Sequence, residues 1–164
     1  MKRVLAFDFG ASSGRAILAE FENGHLTYQE VHRFENCPRE ADGHFRWDFA
    51  DLMANVRLGI EKAGEFDSIG FDTWGVDFGL LDENGELLGD PVHYRDGRTE
   101  GMVEKALHTM PADALYAATG IQIMGINTLF QLLAAKETDP ETWGKAKRLL
   151  FMPDLFAHAL CGSD

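Results

Sequence analysis

Asp8, Gly10, Ser12, Ser13, Gly14 and Arg15 crowd into the stretch VLAFDFGASSGRAIL, residues 4–18, between two apolar runs. These residue types suit phosphate chemistry. Glycines let the backbone turn sharply and bring N–H groups close to a ligand. The hydroxyls of Ser12 and Ser13 can donate hydrogen bonds, and Arg15 offers a planar cation that matches phosphate oxygens. Asp8, at the end of the first apolar run, can hold Mg²⁺ directly or through water. Together they make a cradle for a phosphate and a metal. The same residues also make a polar hairpin turn, with Asp8 capping local N–H groups, and spacing alone does not choose between the two. Neither GxxxxGK[ST] nor a dinucleotide-binding glycine fingerprint is present.

The elements that must position these groups are legible around them. Residues 3–8 and 15–21 read as strands, and Asn23-Gly24 is a hairpin signal leading to a third strand, HLTYQEVHRF, with Leu26, Tyr28 and Glu30 on one face. The chain thus opens as a three-stranded antiparallel meander. ENCPREADGH reads as a loop. WDFADLMANVRLGIEKAG reads as a helix capped by Asp48, with Asp51 in its first turn, a stripe of Leu52, Val56, Ile60 and Ala63, and Gly64 at its end. SIGFD and VDFGLLDENGELLG follow as strands, the latter with a hairpin at Asn84-Gly85. Beyond residue 98 the pattern turns helical, with a stripe of Met102, Val103, Ala106, Leu107 and Met110. Pro111 and Gly120 bracket a short helix, Asn127 caps the next, and Thr138 and Glu141 have capping-box spacing. RLLFM reads as a short buried strand and PDLFAHALCG as a last helix. The order is α/β without the regular alternation of a doubly wound sheet. It fits an RNase H-like, actin-like ATPase domain, with a mixed sheet and helices on both faces.

The 164 residues, 45% hydrophobic and 26% charged, suit one ordinary globular domain. Such a chain buries roughly 70% of its unfolded surface and needs no disulfide or metal to fold. A formal net charge of -12 repels phosphate backbones and anionic membrane surfaces, so neither nucleic acid nor a membrane is an expected partner. The two cysteines, Cys37 and Cys161, form no CxxC pair, and the opening apolar run ends at Asp8, short of a signal or a span. A cytoplasmic protein with reduced thiols is expected. The six histidines show no metal-ligand spacing.

FDFGASSGR resembles the phosphate loop of the superfamily of sugar kinases, heat-shock 70 proteins and actin. IGFDTWGVDFGLLDENGELLGDPVHYRDGRT, GIQIMGINTLFQL and LLFMPDLFAHALCG are similar, in the same order, to segments of the rhamnulokinase branch of the FGGY carbohydrate kinase family. The resemblance covers nearly the whole chain. It implies transfer of the ATP γ-phosphoryl to a ketose hydroxyl, with L-rhamnulose the first candidate and L-fuculose a close alternative, and ATP and Mg²⁺ as cofactors. It implies that Ala11, Ser12, Ser13, Gly14 and Arg15 line the ATP phosphates and that Asp8 sits near the metal. Gly75, Trp74, Asp77 and Arg95, with Asp96, would meet the sugar. Members of the family are about three times longer and carry a second actin-like domain, with their base aspartate beyond this stretch. Residues 1–164 are therefore expected to be an N-terminal kinase domain, inactive alone, supplying no catalytic base, and prone to self-association.

Two other readings use the same residues. Asp8, Asp72 and Asp77 could gather at strand ends as the two-metal site of an RNase H-like nuclease. A kinase half could also serve as a non-catalytic sugar- or nucleotide-binding module.

Overall fold

The computed structural model describes residues 1–162, so the expected domain boundary at Asp164 lies outside the described residues. Along the chain run β1 (Lys2–Phe9), β2 (Ser13–Glu22), β3 (His25–Glu35), β4 (Arg39–Ala41), β5 (His44–Arg46), α1 (Phe49–Ala63), β6 (Ser68–Asp72), β7 (Phe78–Leu81), a 3₁₀ turn (Gly97–Thr99), α2 (Met102–Thr109), α3 (Ala112–Thr119), α4 (Thr128–Thr138), α5 (Pro140–Lys145), β8 (Arg148–Phe151) and α6 (Met152–Cys161). They form two compact units. One comprises Met1–Arg39, Trp47–Gly75 and the residues from Leu150 onward; the other comprises Glu40–Arg46 and Val76–Leu149. No helix among the described residues is long and apolar enough to cross a membrane.

The first unit is a four-stranded sheet in the order β3-β2-β1-β6, antiparallel through β3, β2 and β1 and parallel between β1 and β6. Asn23 and Gly24 both take positive φ, 51° and 79°, which the two-residue hairpin between β2 and β3 requires. A parallel neighbour for β1 needs a crossover, and α1 supplies it. The Asp48 side chain accepts the Asp51 N–H at 3.0 Å, and Gly64 ends the helix.

Leu52, Val56 and Ala63 are buried as the stripe predicts, but Met53 and Gly59 join them while Ile60 stays half-buried. The reason lies across the interface. A Cβ on Gly59 would stand 2.8 Å from the Phe7 ring and 3.0 Å from the Ala16 methyl. The helix is therefore drawn onto the sheet at its glycine, which turns Ile60 toward the rim. Leu5, Phe7 and Phe9 alternate inward along β1, and Phe156 of α6 stacks on Phe9 at 4.5 Å and on Phe71 at 5.5 Å. The sequence reading places helices on both faces. Within this unit α1 and α6 share one face, and on the other Val4, Phe21, Leu26 and Tyr28 stay exposed.

In the second unit, part of the expected 35–44 loop is the start of a hairpin. Asp42 and Gly43 take φ of 53° and 76° and join β4 to β5, a turn signal the sequence reading passed over. The hairpin expected at Asn84-Gly85 is present as a short one, closed by the antiparallel bridge of Leu81 and Leu87. There the Asp82 carboxylate accepts the N–H groups of Asn84 and Glu86, at 2.8 and 2.9 Å, and organises the turn, while Asp82 N–H donates to Glu86 O and Leu88 N–H to Leu80 O across it. The capping box at Thr138 is also displaced. Thr138 ends α4 and donates its hydroxyl to Ala134 O, while Asp139 caps α5 by accepting the Thr142 N–H. Asn127 precedes α4 without a side-chain cap and donates to Gln122 O instead. The strand β8, expected to be buried, is half-buried, and Met110 lies beyond α2 and is exposed.

Gly59→Ala is expected to destabilise the protein by about 1–3 kcal/mol, although alanine is the better helix former by about 1 kcal/mol. The overlap with Phe7 outweighs the propensity gain. The urea midpoint of the variant against that of the parent measures it, and an unchanged or higher midpoint would contradict this account of α1.

Candidate functional site

The phosphate-type residues stand together at one end of the first unit's sheet. Asp8 and Arg15 face each other across β1 and β2 as Cα partners, on the face opposite Phe7 and Phe9. Their side chains form an ion pair, Arg15 Nε to Asp8 Oδ2 at 3.2 Å. The approach is not aligned as a hydrogen bond, and Nε is left without a hydrogen-bond partner.

Between the strands the loop is pinned from behind. Gly10 N–H donates to Ser13 O at 2.9 Å, Asn36 N–H donates to Ser12 O at 3.0 Å, and the Asn36 side-chain amide donates to Gly10 O at 2.5 Å. The loop carbonyls are thus held by the protein. Ala11 and Ser12 are exposed, and their N–H groups have no partner among the described residues. An open turn of unpaired donors beside an arginine is an anion-binding arrangement.

Gly14 sits inside β2, buried. A Cβ there would stand 2.2 Å from the Phe34 ring, so its missing side chain makes room for that ring. Asn36, almost wholly buried, is the residue of this cluster that the sequence reading missed. It lies in the 35–44 stretch that reads as loop from the sequence, and only the fold of β3 brings it behind Gly10.

The sugar-type residues fall in two places. Trp74 and Gly75 end the first unit. The Trp74 ring stacks on Trp47 at 3.9 Å and meets the Phe9 ring edge-on, so one indole face is already covered; Gly75 is exposed. Asp77 and Arg95 belong to the second unit. Asp77 is 0% exposed. It accepts the Tyr94 N–H at 3.1 Å and the Gln131 side-chain amide at 2.9 Å, so it holds protein groups and is closed to solvent. Arg95 is exposed, its guanidinium 5.3 Å from the Tyr94 ring centroid. Asp96 accepts the N–H groups of Phe45 and Arg98 and pairs with His44 at 3.1 Å; these bonds to the charged form hold its carboxyl below the ordinary range against the effect of burial.

Beneath this segment lie two groups that spacing could not single out. Arg98 donates to Gln131 Oε1 at 2.8 Å. Burial brings its guanidinium down to about 10, opposed by the charges of Asp96 and Asp77, so it remains a cation at neutral pH. His93, 2% exposed, accepts the Arg95 N–H at 3.0 Å. Burial first, and then the Arg95 charge, push its imidazole down from 6.5 to about 4.

Strand order and direction define the class. A three-stranded antiparallel meander followed, through a helix, by a parallel strand, with a polar loop between the first two strands, is the opening of an actin-like ATPase fold. The chain belongs to the FGGY family of carbohydrate kinases, whose N-terminal domain matches residues 3–164. Among solved structures it is similar to a xylulose kinase from Rhodospirillum rubrum, at 19% identity and a TM-score of 0.83, covering 99% of this chain and 35% of that one. It is also similar to a gluconate kinase from Lactobacillus acidophilus, at 18% identity and a TM-score of 0.81, covering 99% and 34%. A glycerol kinase from Plasmodium falciparum with ADP aligns at 16% identity and a TM-score of 0.66, covering 88% and 30%. The chain therefore spans about a third of the length of the structures it matches.

Because the folded imidazole of His93 resists protonation, the unfolded chain takes up its proton first as pH falls. Its contribution to stability is complete above pH 6.5 and is lost as pH falls toward about 4. Urea unfolding between these limits should show a steeper loss of stability for the parent than for His93→Gln. Parallel curves would contradict the assignment.

Proposed function

We propose that the whole protein to which this chain belongs transfers the γ-phosphoryl of ATP to a ketose hydroxyl, with L-rhamnulose as the substrate. The observation that carries the proposal is the 10–15 loop: exposed, unpaired N–H groups at Ala11 and Ser12 beside the Asp8–Arg15 pair, on a chain of the FGGY family. Phosphoryl transfer asks chiefly for positioning and charge neutralisation. The N–H groups of Ala11 and Ser12 and the Ser12 and Ser13 hydroxyls would take phosphate oxygens, with Arg15 as the cation. Gly14 would serve the same loop by letting it lie close over Phe34.

The residues present fit Mg²⁺. Asp8 is half-exposed at the end of β1, and its parallel register partner is Asp72, exposed at the end of β6. Oxygen donors beside open water suit an ion that keeps several waters. Bound there, the ion would neutralise phosphate charge; Asp8 would hold it directly or through a water. The Thr-Trp-Gly-Val-Asp and Tyr-Arg-Asp-Gly-Arg-Thr segments support L-rhamnulose through their resemblance, which implies the Gly75 backbone, Trp74 and Arg95 as sugar contacts. Asp77 would support the Arg95 segment through the Tyr94 N–H. Two exposed, unpaired thiols, Cys37 and Cys161, favour a cytoplasmic setting.

A nuclease site would need three carboxylates together. No three His, Cys, Asp or Glu among the described residues are placed to hold a metal, and Asp77 is buried.

The test is ADP release by the whole protein with ATP and L-rhamnulose, L-fuculose or D-xylulose. We expect kcat/KM for L-rhamnulose to exceed the others by about tenfold or more. Arg15→Ala should raise KM for ATP about tenfold, and Asp8→Asn should lower kcat about a hundredfold. No turnover with any ketose would overturn the proposal. Residues 1–164 by themselves should release no ADP and should elute as an oligomer through the open face bearing Phe21, Leu26 and Tyr28. A monomeric profile would contradict the second expectation.

A further inference from the structure

Gln131 is 1% exposed, and its carboxamide meets four groups from three other segments of the second unit. Its amino group lies 2.9 Å from Asp77 Oδ1, 3.2 Å from Val76 O and 3.0 Å from Ile126 O, and its oxygen accepts from Arg98 at 2.8 Å. Asp77 in turn holds the Tyr94 N–H, and Thr128, one turn before Gln131 on α4, donates to Val76 O at 2.8 Å. One neutral side chain therefore joins the residues that follow Gly75 to the segment carrying Arg95. A carboxamide does this where other side chains cannot. It donates to an anion, Asp77, and accepts from a cation, Arg98, without adding charge to a buried site.

We propose that Gln131 is the positioning residue that sets sugar affinity in this protein, by fixing Val76–Asp77 and Tyr94–Arg95 in one arrangement. The proposal rests on the sugar-kinase reading. Arg98 Nε is buried without a hydrogen-bond partner, so the cluster is held by the bonds that meet at the Gln131 carboxamide, and a mismatch there releases the geometry. The Gln131 side-chain hydrogen bonds among the described residues all stay within the second unit, so its effect is expected on the sugar and not on ATP.

The near-isosteric Gln131→Glu tests this. Its carboxylate would keep Arg98 as a partner but would face Asp77 and two carbonyl oxygens with no proton to offer. Asp96 and Arg46 act on the same cluster through Arg98. Acidification lets the two carboxyls share a proton and restores the donor toward Asp77. In the whole protein, the ratio of variant to parent KM for L-rhamnulose should be about tenfold near pH 8 and fall toward one near pH 5.5, with KM for ATP unchanged throughout. Gln131→Met, uncharged and of similar length, should raise the sugar KM at every pH. A sugar KM ratio that ignores pH in the glutamate variant, a parallel rise in KM for ATP, or an unchanged sugar KM in the methionine variant would each overturn the proposal.

If the parent phosphorylates no ketose, the functional reading is what has failed, and amide exchange decides the inference. The Tyr94 amide should then exchange about tenfold faster than in the parent near pH 8, and at the parent rate near pH 5.5, in Gln131→Glu. Equal rates at both pH values would overturn it.

Discussion

Asp8 and Arg15 can meet only because β1 and β2 pair in one register. Side chains alternate along a strand, so the pairing that sets Asp8 opposite Arg15 also sets Phe7 and Phe9 on the helix side, with Ala16 and Gly14 beside them. A slip of one residue would drive a carboxylate into the aromatic core and turn two phenylalanines to water. The apolar face thereby holds the charged face in place. Gly14 and Gly59 sharpen the constraint, because each gives up its side chain to an aromatic ring, Phe34 in one case and Phe7 in the other. The loop that carries Ala11 and Ser12 inherits this precision: its two ends are strands that cannot shift, and Asn36 holds its carbonyls from behind.

The second unit solves a different problem. Its segments from Val76 to Thr99 contain little regular structure, only β7 and a 3₁₀ turn, so backbone ladders cannot hold them. Buried charge does that work. Asp77 and Asp96 each accept backbone N–H groups, Arg98 offsets their charge, and Gln131 joins the first of them to the arginine. Isolated burial of any one of these ions would be costly, and their mutual pairing makes the arrangement stable as a set.

Much of this was readable along the chain. Asn23-Gly24, the Asp48 cap, Gly64 and the apolar stripe of α1 act locally, through φ preference and side-chain bonds to nearby N–H groups. The cluster from Asp8 to Arg15 was readable because its members are close in sequence and a hairpin keeps them close in space. The misses have the opposite character. Thr138 gave way to Asp139 as a cap because two neighbouring residues offered the same chemistry and only the helix geometry distinguishes them. Ile60 lost its place in the core to a glycine whose partner lies more than forty residues away in Phe7.

The sequence by itself determined the class of fold, the meander and the polar loop, since each rests on residue types at short, fixed spacing, and it carried the family through the resemblance of whole segments. Tertiary structure alone decided what Asp77, Trp74, Asn36 and Gln131 do. Asp77 looked like a hydroxyl acceptor and is sealed inside a network; Trp74 looked like an open stacking surface and has one face on Trp47. Asn36 lies in a stretch that reads as loop, and Gln131 lies in a segment that resembles the family without a role of its own. The physical reason is the same for all four. The role of a polar or aromatic side chain depends on what its neighbours leave unsatisfied, and those neighbours come from segments distant in the chain.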